Sequence, residues 1–145
     1  MKKNDVRDIL FDYQKDVIEK LESGSVLVGG VGSGKTLTSL VWYHDMACSS
    51  MNNPKDLYVI TTAQKRDSME WEQDGNMIKL TSDRALSPYG VSMTVDSWNN
   101  IDKYINVKNC VFIFDEQHIT GKGPWVRAFM RIAKNNDWIL TTATP

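Results

Sequence analysis

Eight residues, Gly29-Gly30-Val31-Gly32-Ser33-Gly34-Lys35-Thr36, have the types and spacing for phosphate chemistry. They match GxxxxGK[ST] and lie between an apolar β-branched run, 25–28, and a helical pattern that starts at Lys35. Glycines let the backbone curl so that successive N–H groups point at phosphate oxygens, and the helix behind adds its positive dipole end. Lys35 then supplies a point charge for β- and γ-phosphates, and the Thr36 hydroxyl a ligand for Mg²⁺. A second group follows another apolar run, 110–114, at Asp115-Glu116-Gln117-His118. Two adjacent carboxylates at the end of a buried strand sit where open α/β sheets place their ligands. Asp115 suits Mg²⁺, held through water because that ion dehydrates reluctantly, and Glu116 suits the orientation and deprotonation of an attacking water.

These groups need a scaffold, and the rest of the sequence predicts one. Short apolar runs alternate with helical periods, the pattern of parallel strands joined by crossover helices, so the class is α/β. Strands are expected at 25–28, 57–61, 77–80, 91–95, 110–114 and 138–141. Helices are expected at 12–22, with Tyr13, Val17 and Leu21 as its buried stripe and Gly24 as its stop, and at 35–47, 63–73 and 124–134. Asp96 is expected to cap a short helix behind the 91–95 strand.

Bulk properties narrow the class of protein. A chain of 145 residues fits one domain, and 41% hydrophobic with 24% charged residues is ordinary globular composition. The net charge of -1 leaves no basic footprint, so nucleic-acid binding draws no support from overall charge. Cys48 and Cys110, far apart and among apolar neighbours, suit reduced thiols, and no Cys/His cluster proposes zinc. Without a signal-peptide core or a membrane-spanning run, the expected setting is intracellular, in the cytoplasm. Lys65, Arg66 and Lys122 are able to touch phosphates but read first as surface charges that keep a protein soluble, and His44 reads as a packed or surface side chain. Trp42, Trp125 and Trp138 read as core, whereas Trp98, on a turn, keeps the option of stacking on a base.

The order of the phosphate loop, Asp-Glu-Gln-His and the terminal Thr142-Ala143-Thr144-Pro145 resembles the first three motifs of superfamily 2 helicases of the DExH type. Leu10-Phe11-Asp12-Tyr13-Gln14 resembles the segment in which a glutamine amide reads adenine, with Gln14 the matching residue. Thr61-Thr62-Ala63 and the stretch from Thr94 to Trp98 resemble motifs that meet the nucleic-acid backbone, and Trp71 is similar to a residue of Swi/Snf-type translocases and phage helicases. The resemblance implies a RecA-like P-loop NTPase domain, a mainly parallel sheet with helices on both faces, and ATP with Mg²⁺ as ligands. It implies that Gln117, His118, Thr142 and Thr144 couple ATP state to movement, and that nucleic acid, DNA ahead of RNA, is the partner. It also implies the strand order 25–28, 138–141, 110–114, 57–61, 91–95, 77–80, with 25–28 at an edge. A second RecA-like domain with an arginine finger is expected in a longer parent protein, leaving this fragment to bind ATP with little turnover. The alternatives are a small P-loop kinase or GTPase, for which no guanine-reading Asn-Lys-x-Asp is present, and a nucleotide-binding module without motor activity.

Overall fold

Side chains of a strand alternate between the two faces of the sheet, so the near-continuous apolar runs of the central strands make both faces apolar, and both are covered. The computed structural model describes residues 3–29, 34–48, 53–115 and 124–142. Its strands are β1 (Ser25–Val28), β2 (Leu57–Thr61), β3 (Met93–Ser97), β4 (Val111–Asp115) and β5 (Asp137–Thr142). Its helices are α1 (Lys3–Arg7), α2 (Asp12–Lys20), α3 (Lys35–Ala47), α4 (Ala63–Ser68), α5 (Glu70–Met77) and α6 (Pro124–Asn135), with a 3-10 helix at Trp98–Tyr104. The strands form one parallel sheet in the order β1-β5-β4-β2-β3. This is the expected order for the five strands found, and β1 lies at one edge with Val26 and Val28 half-exposed.

On one face, Leu57, Val59, Val111, Ile113 and Ile139 join the buried side chains of α3 and Trp71 of α5. On the other, Ile60, Phe112, Phe114 and Leu140 pack with Trp98 and Ile101 of the 3-10 helix and with Ala128 and Ile132 of α6. The phenyl rings of Phe112 and Phe114 stack 5.6 Å apart, and truncating such a ring in a filled core costs about 3–5 kcal/mol. Helix α3 is buried nearly all round from Thr38 to His44, as a helix sandwiched between sheet and helices must be. His44 is fully buried, with its ring edge-on to Tyr89 at 4.8 Å. Trp42 is buried, and Trp125 and Trp138 pack against the second cluster, as core residues. Cys48 is a buried free thiol whose pKa burial pushes up to about 11, and Cys110 is a half-buried one. No helix among the described residues is long and apolar enough to cross a membrane.

The expected strand at 77–80 is not a strand. Met77 ends α5, Lys79 takes a left-handed φ of 63°, and the Leu80 and Lys79 amides donate to the Gly75 and Asn76 carbonyls. This is a Schellman stop, which buries Ile78 and Leu80 and so imitates strand alternation in sequence. The expected helix 63–73 is two helices, broken at Met69 with φ 62°. Helix α2 buries Gln14 and Ile18, one position beyond the expected stripe, and leaves Tyr13 exposed.

Candidate nucleotide-binding site

Because every strand is parallel, all five carboxyl ends meet along one side of the sheet, and the parity of each strand selects what projects there. On β4, Asp115 shares the face of Val111 and Ile113; on β2, Thr61 shares that of Leu57 and Val59; on β5, Thr141 shares that of Ile139. All three therefore lie on the α3 face, with β4 between the other two. The Thr61 hydroxyl donates to Asp115 Oδ2 at 2.9 Å, and the Thr141 hydroxyl to Oδ1 at 2.5 Å. Asp115 is fully buried, and its charge is met by Lys65 Nζ 3.5 Å from Oδ2 and Lys35 Nζ 3.9 Å from Oδ1. A buried carboxylate requires such partners, because an unpaired charge there carries a large desolvation cost.

Lys35 reaches this carboxylate from the first turn of α3, and the turn in front of it requires glycine. Gly34 adopts φ 73°, and a Cβ built on it would lie 2.3 Å from Gln14 Nε2. Gln14 is buried against this corner. Its Nε2 donates to Thr38 Oγ1 at 3.1 Å and to the Gly34 carbonyl at 3.4 Å, while its Oε1 accepts from the Phe11 amide at 2.8 Å. Gln14 thus ties α2 to the point where the glycine-rich segment enters α3. Gly29 leaves β1 with its N–H donated to Thr142 O at 3.0 Å. Thr36 lies half-buried on the first turn of α3, and Thr142 is buried at the end of β5.

The residues expected to meet nucleic acid lie in differing surroundings. Thr61 is buried and spends its hydroxyl on Asp115, so it orients the carboxylate. Thr62 caps α4 by accepting from the Lys65 amide at 3.2 Å, with Ala63 half-buried beside it. Thr94 is half-buried in β3, level with Tyr58 of β2. Trp98 is 2% exposed, gives its indole N–H to the Asp115 carbonyl at 2.9 Å, and stacks on Phe114 at 5.7 Å. That burial closes the option of stacking on a base, since the 3-10 helix folds the ring back under β4. Asp96 lies in β3 and is not the cap residue; its carboxylate accepts from the Ser97 amide, Asn100 and Tyr104. Gly30, Val31, Gly32, Ser33, Glu116, Gln117, His118, Lys122 and Thr144 lie outside the described residues. Reading the sequence alone missed Thr141 and Lys65 as partners of Asp115. Thr141 was within reach, because the expected strand order and strand parity together put it beside Asp115.

The donor set fits hard ligands. A buried carboxylate flanked by hydroxyls suits Mg²⁺, and a lysine at the head of a long helix behind a glycine too crowded for a side chain suits phosphate.

No protein-family model matches this sequence, and no curated protein matches it. Solved structures do. The chain is similar to the SWI2/SNF2 ATPase core of Sulfolobus solfataricus in complex with dsDNA, at 19% identity and a TM-score of 0.68, over 92% of this chain and 32% of that one. It is similar to the Type ISP restriction-modification enzyme LlaGI in complex with a DNA substrate mimic, at 18% identity and 0.63, over 94% of this chain and 17% of that one. It is also similar to the large terminase ATPase domain of Thermus phage P74-26, at 12% identity and 0.58, over 94% of this chain and 66% of that one. The chain therefore spans about a third and about a sixth of the first two proteins. At these identities the likeness establishes architecture: an α/β domain with the all-parallel sheet of RecA-like ATPase domains.

Proposed function

We propose that this chain is the ATP-binding domain of a nucleic-acid-dependent motor, a helicase or translocase of the superfamily 2 kind that hydrolyses ATP as it moves. The observation that carries the reading is Lys35 Nζ 3.9 Å from the buried Asp115 carboxylate. Two residues 80 positions apart, each assigned to ATP by its own motif, meet on one face of one sheet. Lys35 binds the β- and γ-phosphates, and the phosphate-loop motif assigns the N–H groups that follow Gly29 to the same oxygens. Thr36 and Asp115 hold Mg²⁺, which neutralises developing phosphate charge when bound. Glu116, next in the chain after Asp115, orients and deprotonates the attacking water. Gln14 reads the adenine edge, for which its amide must exchange its bonds to Phe11 and Thr38 for the base. Thr142, Thr144, Gln117 and His118 relay the state of the γ-phosphate.

DNA is the partner proposed, supported by two similar structures whose proteins were bound to dsDNA and to a DNA substrate mimic. A second RecA-like domain in a longer parent completes the site with an arginine finger, which in this chemistry is worth ~10³–10⁵ in rate. The test is calorimetry of the chain with ATP and Mg²⁺, wild type against Lys35→Ala. Loss of binding in the variant, and preference for ATP over GTP in the wild type, are expected. Unchanged affinity in Lys35→Ala would refute the assignment.

A further inference from the structure

Lys65 lies outside the sequence motifs, yet its ammonium reaches the carboxylate proposed to hold Mg²⁺. Its Nζ is 3.5 Å from Asp115 Oδ2, which also accepts from Thr61, and 4.0 Å from Glu70 Oε1. Its backbone is fixed, since its amide caps onto Thr62 Oγ1, so only the side chain can swing. Of the two lysines on Asp115, Lys65 is the one with access to water, its side chain 30% exposed against 9% for Lys35. The neighbouring Arg66 is turned the other way, with its guanidinium 3.3 Å from Asp96. The end of α4 thus holds two basic side chains committed to two different strand-end carboxylates.

We propose that Lys65 is a shared cation that couples the two ligands of the motor: it pairs with Asp115 in the nucleotide-free chain and with a nucleic-acid phosphate once Mg²⁺·nucleotide occupies that carboxylate. This rests on the ATP-site reading given above. Lys35 turns to the phosphates when nucleotide binds, which leaves Mg²⁺ and Lys65 as the positive charges at Asp115; the divalent ion repels the ammonium, and Lys65 has a route to solvent by which to leave. Lys65 leaves from α4, which directly follows β2, so it is delivered at the rim of the sheet where a phosphate backbone can approach. Coupling of this kind is reciprocal, so nucleic acid that captures Lys65 also favours Mg²⁺·nucleotide.

The experiment compares the wild-type chain with Lys65→Gln and Glu70→Gln, each checked by thermal melting. Calorimetry measures ADP affinity with Mg²⁺ and with EDTA, and fluorescence anisotropy measures binding of a labelled DNA duplex across a salt series. Lys65→Gln should tighten Mg²⁺·ADP severalfold while leaving ADP in EDTA unchanged. It should also lower the salt slope of DNA binding by about one phosphate contact and abolish the gain in DNA affinity on adding Mg²⁺·ADP. Glu70→Gln removes a competitor for Lys65 and should shift Mg²⁺·ADP affinity the opposite way. If wild type binds Mg²⁺·ADP but Lys65→Gln leaves both that affinity and the DNA response unaltered, the shared-cation proposal falls alone. If wild type binds no Mg²⁺·ADP, the ATP-site reading falls with it.

Discussion

Asp115 and Asp96 are both buried carboxylates near the carboxyl ends of parallel strands, and each is met by a basic residue of α4. They differ in where the remaining donors come from. Asp96 takes its bonds from Ser97, Asn100 and Tyr104, all within eight positions, so a short stretch of chain satisfies it. Asp115 takes its own from Thr61 and Thr141 on the two flanking strands and from Lys35 on α3. Local satisfaction makes a clamp that fixes the 3-10 helix behind β3. Long-range satisfaction needs the whole sheet to be assembled, and it gathers groups whose chemistry suits a ligand. The two also sit on opposite faces: Asp115 under α3, and Asp96 toward the side of the 3-10 helix.

The largest expected effect separates the two by function. Asp115→Asn should weaken Mg²⁺-dependent nucleotide binding by ~10–100-fold, the usual cost of losing a group that holds a metal through its water shell. Asp96→Asn should leave that binding within a factor of about two. Calorimetry with and without Mg²⁺ checks both, and equal losses in the two variants would erase the distinction between clamp and site.

The next effect runs the other way, on stability. Burial works to raise the Asp96 pKa, but the combined donors Tyr104, Asn100, the Ser97 amide and Arg66 outweigh it and hold it below the ordinary carboxylate value. A group whose folded pKa lies below its unfolded value of about 3.9 contributes stability above that value and loses it as pH falls through the folded pKa. Hydrogen bonds to a charged group are worth about 1.5–3 kcal/mol, so Asp96→Asn should cost roughly 2 kcal/mol near neutral pH. Urea melts should show the gap between wild type and variant closing below about pH 4. A gap that persists undiminished at lower pH would mean that the ionised form is not what stabilises the 3-10 helix.

Where local chemistry dictates structure, the sequence was legible. The bounds of β1 and α3 follow from the glycine-rich stretch of sequence between them, where Gly34 takes a positive φ with no room for a Cβ, and the strand order follows from the motif resemblance. The stretch from Met77 to Leu80 misled because alternation of apolar and polar residues also describes a helix that stops and buries its tail. Trp98 misled for a related reason: a turn after a strand suggests exposure, but here the chain coils back and packs the indole under Phe114. The sequence offers Lys65 only as a basic residue able to touch phosphate, and a lysine on a short helix is ordinarily solvated, so its pairing with Asp115 is not legible there. Its role emerges only when β2 and β4 are seen to be neighbours.

The smallest expected effect concerns the hinge that aims α4. Lys65 and Arg66 reach opposite faces of the sheet from one short helix, and the direction of that helix is set where it meets α5 at Met69. Met69 has φ 62° and ψ 18°, is about half-exposed, donates its N–H to the Arg66 carbonyl and accepts at its own carbonyl from Gln73. A left-handed conformation costs a residue with a Cβ roughly 1–2 kcal/mol, and glycine escapes that cost. Glycine also loses more freedom on folding, which returns about 0.4–1 kcal/mol. Met69→Gly should therefore raise stability by about 0.5 kcal/mol, while Met69→Val, whose branched side chain tolerates positive φ worst, should lower it by about 1 kcal/mol. Neither should move Mg²⁺·nucleotide affinity by more than about twofold, because the hydrogen bonds that hold the bend are made by backbone atoms present in every variant. The ranking Gly above Met above Val in urea melts supports a hinge fixed by backbone geometry. If Val matched Met, the methionine side chain would be setting the angle, and the aim of Lys65 at Asp115 would depend on its packing.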